Sequence, residues 1–313
     1  MTLTPIHRHP GLPVFVLIFA SVFWGMSWLP LKSLNQMGFD GPFLIMGAYS
    51  LLALAFLPFL FRHRRDLNKN FKAWLLILAL GGGANLAFNY ALIYGEVIRV
   101  MVLFYLLPLW GVLGGKFLLQ EHIDMKGWLA AGLAVSGAFF IVGGHRIFDH
   151  PPTLIDLIAL LSGFLFAMNN IAFRAHQALT VTTKLSALFL GTTLFSGILF
   201  VVQGDPVPQV DSYQAWWFLA FYGLVWLLIA NYGSQWAVTH MPANRAAILM
   251  ITELLAAVIS AILIANEILT PLESMGGLLI VTAAILEALR SHRPETPPLA
   301  EAVPIVEEKS SRF

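Results

Sequence analysis

Ten apolar stretches, each roughly 20 residues long, constrain this chain more than any other feature of its sequence. A helix of that length crosses the hydrocarbon core of a bilayer, which is about 30 Å thick. Only 11% of the residues are charged, against about 25% in an ordinary soluble domain, so the chain cannot cover a soluble surface. We therefore predict an all-α integral membrane protein with ten transmembrane helices, at residues 13–34, 42–61, 73–94, 98–119, 127–144, 154–175, 184–203, 214–239, 243–264 and 272–290.

The distribution of basic residues predicts how these helices are oriented. With both termini in the cytoplasm, the cytoplasmic side holds 15 Lys and Arg residues and the outer side holds only three, Lys32, Arg99 and Arg146. Cytoplasmic loops of membrane proteins carry such an excess. We therefore expect a multi-pass protein of a bacterial-type inner membrane, with a cytoplasmic N-terminal segment at 1–12. Residues 291–313, rich in Pro and Glu, are expected to form a disordered cytoplasmic tail.

The two halves of the sequence match each other at a shift of 146 residues. Asn85 then meets Asn231, Arg99 meets Arg245, and Glu121 meets Glu267, without a gap. Each half has five spans, so the second copy enters the membrane from the opposite side, as in the inverted repeats of many secondary transporters. We assign residues 13–144 to the first five-helix copy, 145–153 to a linker and 154–290 to the second copy.

Several segments resemble one family of transporters. "FWGMSWLPLK" (23–32) is similar to the Trp-Gly…Lys first helix of the drug/metabolite transporter superfamily, in its EamA-like branch. Pro108, Glu121 and Gly132 fit that branch's fourth helix, turn and fifth helix, and Glu267 with Gly276–Gly277 repeats the pattern. The resemblance implies a ten-helix exporter of small metabolites, often amino acids, or of drugs, with a central cavity that opens alternately to either side. The chain departs from the pattern in the ninth helix, where Glu253–Leu254 stands in place of a usual Pro.

Polar and aromatic residues inside the predicted helices are the candidates for substrate binding. Asn85, Asn89 and Tyr90 lie at i, i+4 and i+5, on one side of a helix, and amides offer both donors and acceptors to a zwitterion. Hydrogen bonding between helices is the alternative role for amides, and simple packing is the alternative role for aromatic rings. The candidates are Trp24, Ser27, Asn85, Asn89, Tyr90, Tyr105, Asn169, Asn231 and Glu253.

Four charged residues are candidates for gating or coupling: Lys32, Arg99, Arg245 and Glu253. Arg99 and Arg245 are predicted at opposite mouths of the pathway, where a nearby acid such as Glu96 would make a gating pair. Snorkelling to the lipid headgroups is the other interpretation of such end charges, and we favour it. Lys32 would either snorkel or pair within the mouth.

Glu253 interrupts a run that is otherwise almost entirely aliphatic, and we predict that it lies near the bilayer midplane. A charge there costs at least ~2.5–3.5 kcal/mol on insertion scales, so an ionisable residue within a span indicates function. Three roles are open: a counter-charge for a substrate cation, a proton carrier, or a protonated group hydrogen-bonded to a neighbouring helix.

These features favour a secondary exporter of small amphipathic metabolites, amino acids first, working by alternating access through a midplane cavity. A cationic-drug exporter that uses Glu253 and the aromatic residues is the nearer alternative. A passive channel and a membrane enzyme or scaffold are the others. We expect no enzymatic activity and no cofactor, because no metal-ligand spacing, P-loop or nucleophile motif is present. The expected partners are a small-molecule substrate, protons and the lipid bilayer, without nucleic acid or an obligatory protein partner.

Overall fold

The computed structural model describes residues 11–106, 109–110, 113, 116, 124–141, 152–176, 178–240 and 243–289. Within these residues the chain is almost entirely helical and contains no strand. Six helical segments are long and apolar enough to cross a membrane by length and composition: Leu12–Gln36, Gly41–Arg62, Phe71–Tyr94, Leu154–Phe173, Val181–Gln203 and Tyr213–Ala237. Three shorter apolar helices accompany them. The predicted all-helical membrane fold is therefore confirmed, while the count of ten spans and the inverted orientation stay predictions.

The helices are numbered here in chain order. They are α1 (Leu12–Gly25), α2 (Trp28–Gln36), α3 (Gly41–Arg62), α4 (Arg64–Lys69), α5 (Phe71–Tyr94), α6 (Val97–Phe104), α7 (Met125–Ile141), α8 (Leu154–Ala175), α9 (Val181–Gln203), α10 (Tyr213–Phe221), α11 (Leu227–Thr239), α12 (Ala243–Ile264) and α13 (Pro271–Leu289). A π-helical turn, Tyr222–Trp226, joins α10 to α11.

Three of the predicted continuous helices are not continuous. The first is divided into α1 and α2 by a turn at Met26 and Ser27. Pro30 accounts for the division, because it has no N–H to donate to the Met26 carbonyl in an unbroken helix. The eighth carries the π-helical turn, and α6 ends at Phe104, well short of the predicted 98–119. Most of the remainder of that span lies outside the described residues.

The strongest packing in the bundle joins its first half to its second half. Helix α5 packs on α8 and α6 packs on α8; correspondingly, α11 packs on α1 and α12 packs on α1. Helix α3 packs on α9, and α7 packs on α13. These contacts are matched when the two halves are exchanged, as a two-fold relation between repeats would require, whereas the contact of α5 with α9 is stronger than its counterpart at α3.

Glycine allows the close approach at several of these crossings, and two of them correspond between the halves. A Cβ at Gly25 in α1 would collide with the backbone carbonyl of Glu253 in α12. A Cβ at Gly163 in α8 would collide with the carbonyl of Phe104 at the end of α6. Small residues let membrane helices approach until their backbones touch. Each half thus supplies a glycine to a close crossing with the other half.

A methyl group at position 163 should separate α8 from α6. We expect Gly163→Ala to lower the unfolding temperature of the purified protein, because the added Cβ meets backbone that cannot move aside. Gly277→Ala is the matched control, since it also lies within a helix but a Cβ there has nothing within 4 Å. That control should be neutral or stabilising by up to ~1 kcal/mol. Equal effects of the two substitutions would contradict the crossing.

Candidate functional site

Glu253 lies halfway along α12, ten residues from its start and eleven from its end. It is only 6% exposed. The hydroxyl of Tyr105, at the end of α6, lies beside its carboxyl group and donates a hydrogen bond to the Met250 carbonyl at 3.0 Å. Helix α1 covers the backbone of Glu253 through Gly25. The acid is therefore enclosed by protein, where α1, α6 and α12 meet.

The break in the first span lies beside this crossing. Ser27 Oγ donates to the Phe23 carbonyl at 2.8 Å. The indole of Trp226, in the π-helical turn, donates to the same carbonyl at 2.9 Å and lies 3.2 Å from Ser27 Oγ. Tertiary contacts thus satisfy polar groups at the break, as burial at membrane depth requires. Ser27, a predicted substrate ligand, is used here to hold two helices together.

Aromatic rings surround the centre of the bundle. The ring of Phe104 lies 4.5 Å from that of Phe88 and 5.3 Å from that of Phe166. Trp24 packs edge-on against Phe88, with ring centres 6.1 Å apart. Because Tyr105 follows Phe104 directly, these rings adjoin the Glu253 environment. Trp24 thus belongs to an aromatic cluster, and its role in the wall of a pathway stays a prediction.

Asn89 is fully buried in a hydrogen-bonded network of its own. Its amide nitrogen donates to Tyr49 Oη at 3.1 Å and to the Asn85 carbonyl at 2.7 Å, and Tyr222 Oη donates to its oxygen at 3.4 Å. Tyr90, by contrast, packs on Tyr94 with ring centres 4.6 Å apart. The predicted single polar surface of Asn85, Asn89 and Tyr90 is therefore wrong: the three side chains have separate surroundings.

The other three predicted amides differ in how well they are satisfied. Asn231 donates to the Leu227 carbonyl of its own helix at 2.8 Å. Asn85 Nδ2 and Asn169 Oδ1 are buried and have no hydrogen-bond partner among the described residues. Buried polar groups are nearly always paired in native proteins. These two unpaired atoms therefore require an explanation of their own.

A network of charges joins the halves at the end of the bundle predicted to be outer. Arg99 makes a bidentate pair with Asp156, with Nε–Oδ1 and Nη2–Oδ2 distances of 2.6 and 2.8 Å. Lys32 Nζ donates to the Gly95 carbonyl at 2.8 Å and lies 4.0 Å from Glu267. Glu267 accepts the first two N–H groups of α6, from Val97 and Ile98, at 2.8 and 3.0 Å. We call Lys32, Arg99, Asp156 and Glu267 the end network.

The end network corrects one sequence interpretation. Arg99 does not snorkel, and its partner is Asp156 rather than Glu96. The preference for Glu96 came from proximity in sequence, whereas the fold brings the start of α8 to the start of α6. Lys32 does pair within the mouth, one of the two alternatives left open. The side chain of Arg245 lies outside the described residues.

Sequence reasoning missed Asp156, Trp226, Tyr49 and Tyr222. Asp156 did carry a signal in the sequence, because it is an acid in the first turn of a helix that was predicted to begin on the outer side. Trp226 and the tyrosines carried no signal, because aromatic residues are frequent throughout these helices. Among the described residues, no group of three or more His, Asp or Glu side chains is placed to hold a metal ion.

The structure has the features of a membrane transporter of small molecules. It has long apolar helices, two helix interruptions beside a buried acid, and charge pairs that join the two halves of the chain. Comparison with known proteins agrees: the chain belongs to the EamA-like transporter family, whose sequence profile matches residues 11–143 and again residues 153–288. The resemblance seen in the sequence is therefore confirmed.

Two relatives illustrate the match. The chain is 21% identical over 239 residues to an uncharacterized transporter, YoaV, of Bacillus subtilis (strain 168), which covers 74% of this chain and 80% of that protein. A protein crystal structure superposes with a TM-score of 0.59 over 88% of this chain and 97% of that chain. At 14% identity, this second likeness shows the fold alone.

Removal of one partner from the Arg99–Asp156 pair should destabilise the fold. Asp156 is 4% exposed, and an unpaired buried charge costs about 3–5 kcal/mol. We expect Arg99→Met to approach the lower end of that range, because the arginine side chain is 25% exposed. Chemical denaturation would measure the loss.

The double variant Arg99→Met/Asp156→Asn should recover part of that stability, because the neutral amide no longer needs a cation. It also keeps an oxygen to accept the Thr153 N–H, which Asp156 accepts at 2.8 Å. A double variant no more stable than Arg99→Met would show that the two side chains are not energetically coupled.

Proposed function

We propose that this transporter exports small amphipathic molecules that carry an ammonium group, amino acids first, by alternating access. The observation that carries the proposal is the position of Glu253. Its carboxyl group lies at the centre of α12, beside Tyr105 and next to a cluster of aromatic rings. An ionisable residue at such depth indicates a ligand or ion pathway by default.

The distribution of charge favours a substrate with a positive group. The described basic side chains of the bundle lie towards the helix ends, with Lys32 and Arg99 at one end and Lys184, which donates to the Phe173 carbonyl, at the other. Among the described residues, no basic side chain forms an ion pair with Glu253. A substrate ammonium would supply the missing counter-charge, and the neighbouring rings would add cation–π attraction.

Alternating access is supported by how the halves meet. The end network consists of pairs between residues of the first half and residues of the second half, and it ties together the starts of α6 and α8. We infer that it closes the pathway on the outer side in this conformation. Rocking of one half against the other around the midplane site would have to break it.

The orientation follows from the sequence. The 15 to 3 distribution of Lys and Arg supports an inner-membrane protein with both termini in the cytoplasm. In that orientation a pathway closed at the end network would load substrate from the cytoplasm, as an exporter does. Transport driven by the substrate gradient and transport coupled to protons through Glu253 are both compatible with a single central carboxyl group.

A second candidate function is the export of cationic drugs. Trp24, Phe88 and Phe104 form a cluster that contacts Tyr105, the neighbour of the acid. Aromatic faces with a carboxylate suit a bulky organic cation. Such a substrate would use Glu253 in the same way as an amino acid but would need no partner for a carboxylate.

Counterflow of labelled amino acids in proteoliposomes tests the proposal. The native protein should exchange internal for external amino acid, and Glu253→Gln should lose most of this exchange because the substrate ammonium has no counter-charge. A pH dependence that disappears in the variant would assign Glu253 to proton coupling.

Glu273→Gln is the matched control, because Glu273 lies near one mouth, where it accepts hydrogen bonds from Thr270. It should transport as the native protein does. Absence of amino-acid exchange by the native protein would overturn the metabolite proposal in favour of cationic drugs. Equal exchange by the native protein and Glu253→Gln would leave the acid a structural role only.

Labelling of an introduced cysteine tests the closed mouth. The natural chain has no cysteine, so Met101→Cys, at a position that is 0% exposed and one helical turn below Val97, would be the only reactive thiol. An impermeant maleimide added from outside should label it slowly. Addition of Arg99→Ala should raise the rate several-fold.

Val207→Cys, 63% exposed between α9 and α10, is the positive control and should be labelled at once from outside. Protection of Val207→Cys in intact cells would contradict the predicted orientation. An unchanged rate at Met101→Cys after removal of Arg99 would contradict the gating role of the end network.

A further inference from the structure

The two unpaired amides lie on facing helices. Asn85, on α5, is 6% exposed and Asn169, on α8, is 2% exposed. A Cβ at Gly81, one turn before Asn85, would lie 2.9 Å from Asn169 Oδ1. The two amides therefore belong to one interface, within about one helical turn of each other along α5.

This interface adjoins the aromatic cluster. Phe88 lies three residues after Asn85 and Phe166 three residues before Asn169, and both rings contact Phe104. Residues three apart share one face of a helix. The amides therefore lie near Phe104, and its chain neighbour Tyr105 lies beside the Glu253 carboxyl group.

Leaving these amides unpaired is costly. A buried donor or acceptor without a partner costs about 1–3 kcal/mol, whereas a leucine of similar size would cost nothing of the kind. Asn89, one turn away on the same helix, is fully paired. The cost at Asn85 and Asn169 is therefore not imposed by the helix, and a ligand that supplies hydrogen bonds would offset it.

We propose that Asn85 and Asn169 form a neutral recognition pole that binds the carboxylate of a zwitterionic substrate while Glu253 binds its ammonium. The inference rests on the proposed function and narrows its substrate class. An amide presents either oxygen or nitrogen at one place by a half-turn of its side chain, so the pair can direct two donors at a carboxylate. Because the amides are uncharged, they add no charge to the site and bring no competing partner for Glu253.

This pole decides between amino acids and simple amines. A zwitterion that enters the bundle must exchange the water around its carboxylate for hydrogen bonds from the protein, and the two amides supply them. An amine without a carboxylate needs only Glu253 and the rings. Loss of the amides should therefore weaken the binding of the amino acid and leave the binding of its decarboxylated analogue unchanged.

L-Phenylalanine and phenethylamine are the appropriate probes, because they share the ring and the ammonium and differ in the carboxylate. Binding to the purified full-length protein would be measured by isothermal titration calorimetry. The native protein should bind phenylalanine more tightly than phenethylamine. Asn85→Leu and Asn169→Leu should each raise the Kd for phenylalanine roughly ten-fold, the loss expected of a hydrogen bond to a charged group, and change the Kd for phenethylamine less than two-fold.

Thr192→Val is the matched control. It removes a fully buried hydroxyl of α9, which is satisfied by the Leu188 carbonyl of its own helix at 2.9 Å, and it should change neither Kd. Asn85→Ser, which keeps a hydrogen-bonding group in a smaller side chain, serves if the leucine variants fail to fold. It should give an intermediate Kd for phenylalanine.

Four results would overturn the inference. Unchanged binding of both probes by Asn85→Leu and Asn169→Leu would make the amides helix packing groups. Equal weakening of the binding of both probes would give the two amides only a general structural role at the site. In both of these cases the proposed function survives. Binding of phenethylamine but not phenylalanine by the native protein would favour the cationic-drug function. Binding of neither probe, with no amino-acid counterflow, would remove the proposed function together with the inference.

Discussion

A carboxyl group at the centre of an apolar helix is the constraint on which the rest of this structure depends. Glu253 is only 6% exposed, so protein surrounds it. Helix α1 does so by pressing Gly25 against the glutamate backbone, and α6 does so by ending where Tyr105 can reach the side chain. The close crossing of α1 and α12 and the short length of α6 both serve this one group.

An interrupted helix in the interior of the bundle leaves backbone polar groups that need hydrogen-bond partners. The second half of the chain supplies such a partner to the interrupted helix of the first half. The π-helical turn places Trp226 so that its indole reaches the Phe23 carbonyl at the break between α1 and α2. Irregular backbone within a membrane is tolerated only where protein or a cavity covers it. In the proposed transport cycle the breaks are also where one half would move against the other, so stability and transport would depend on the same few contacts.

Within the end network, the side chain of Glu267 both caps a helix and attracts a basic side chain. Glu267 closes the N-terminus of α6, where unpaired N–H groups and the helix dipole attract an anion, and it also attracts Lys32. The position of α6 is thereby coupled to the charges at the mouth. A helix that carries Tyr105 at its inner end and an ion network at its outer end connects the mouth to the central acid.

The sequence by itself determined the membrane fold, the family, the placement of most helices within a few residues, and an acid halfway along an apolar helix. These are local properties: hydropathy, helix length and spacing along the chain. Only the tertiary structure decided that Arg99 pairs with Asp156, that Asn89 belongs to Tyr49 and Tyr222, and that Asn85 and Asn169 are left unpaired. The physical reason is that an apolar helix face packs against lipid or against another helix with nearly equal ease. Hydrophobicity therefore places a residue in the membrane but does not choose its partner, which follows from how close the glycine crossings allow the helices to come.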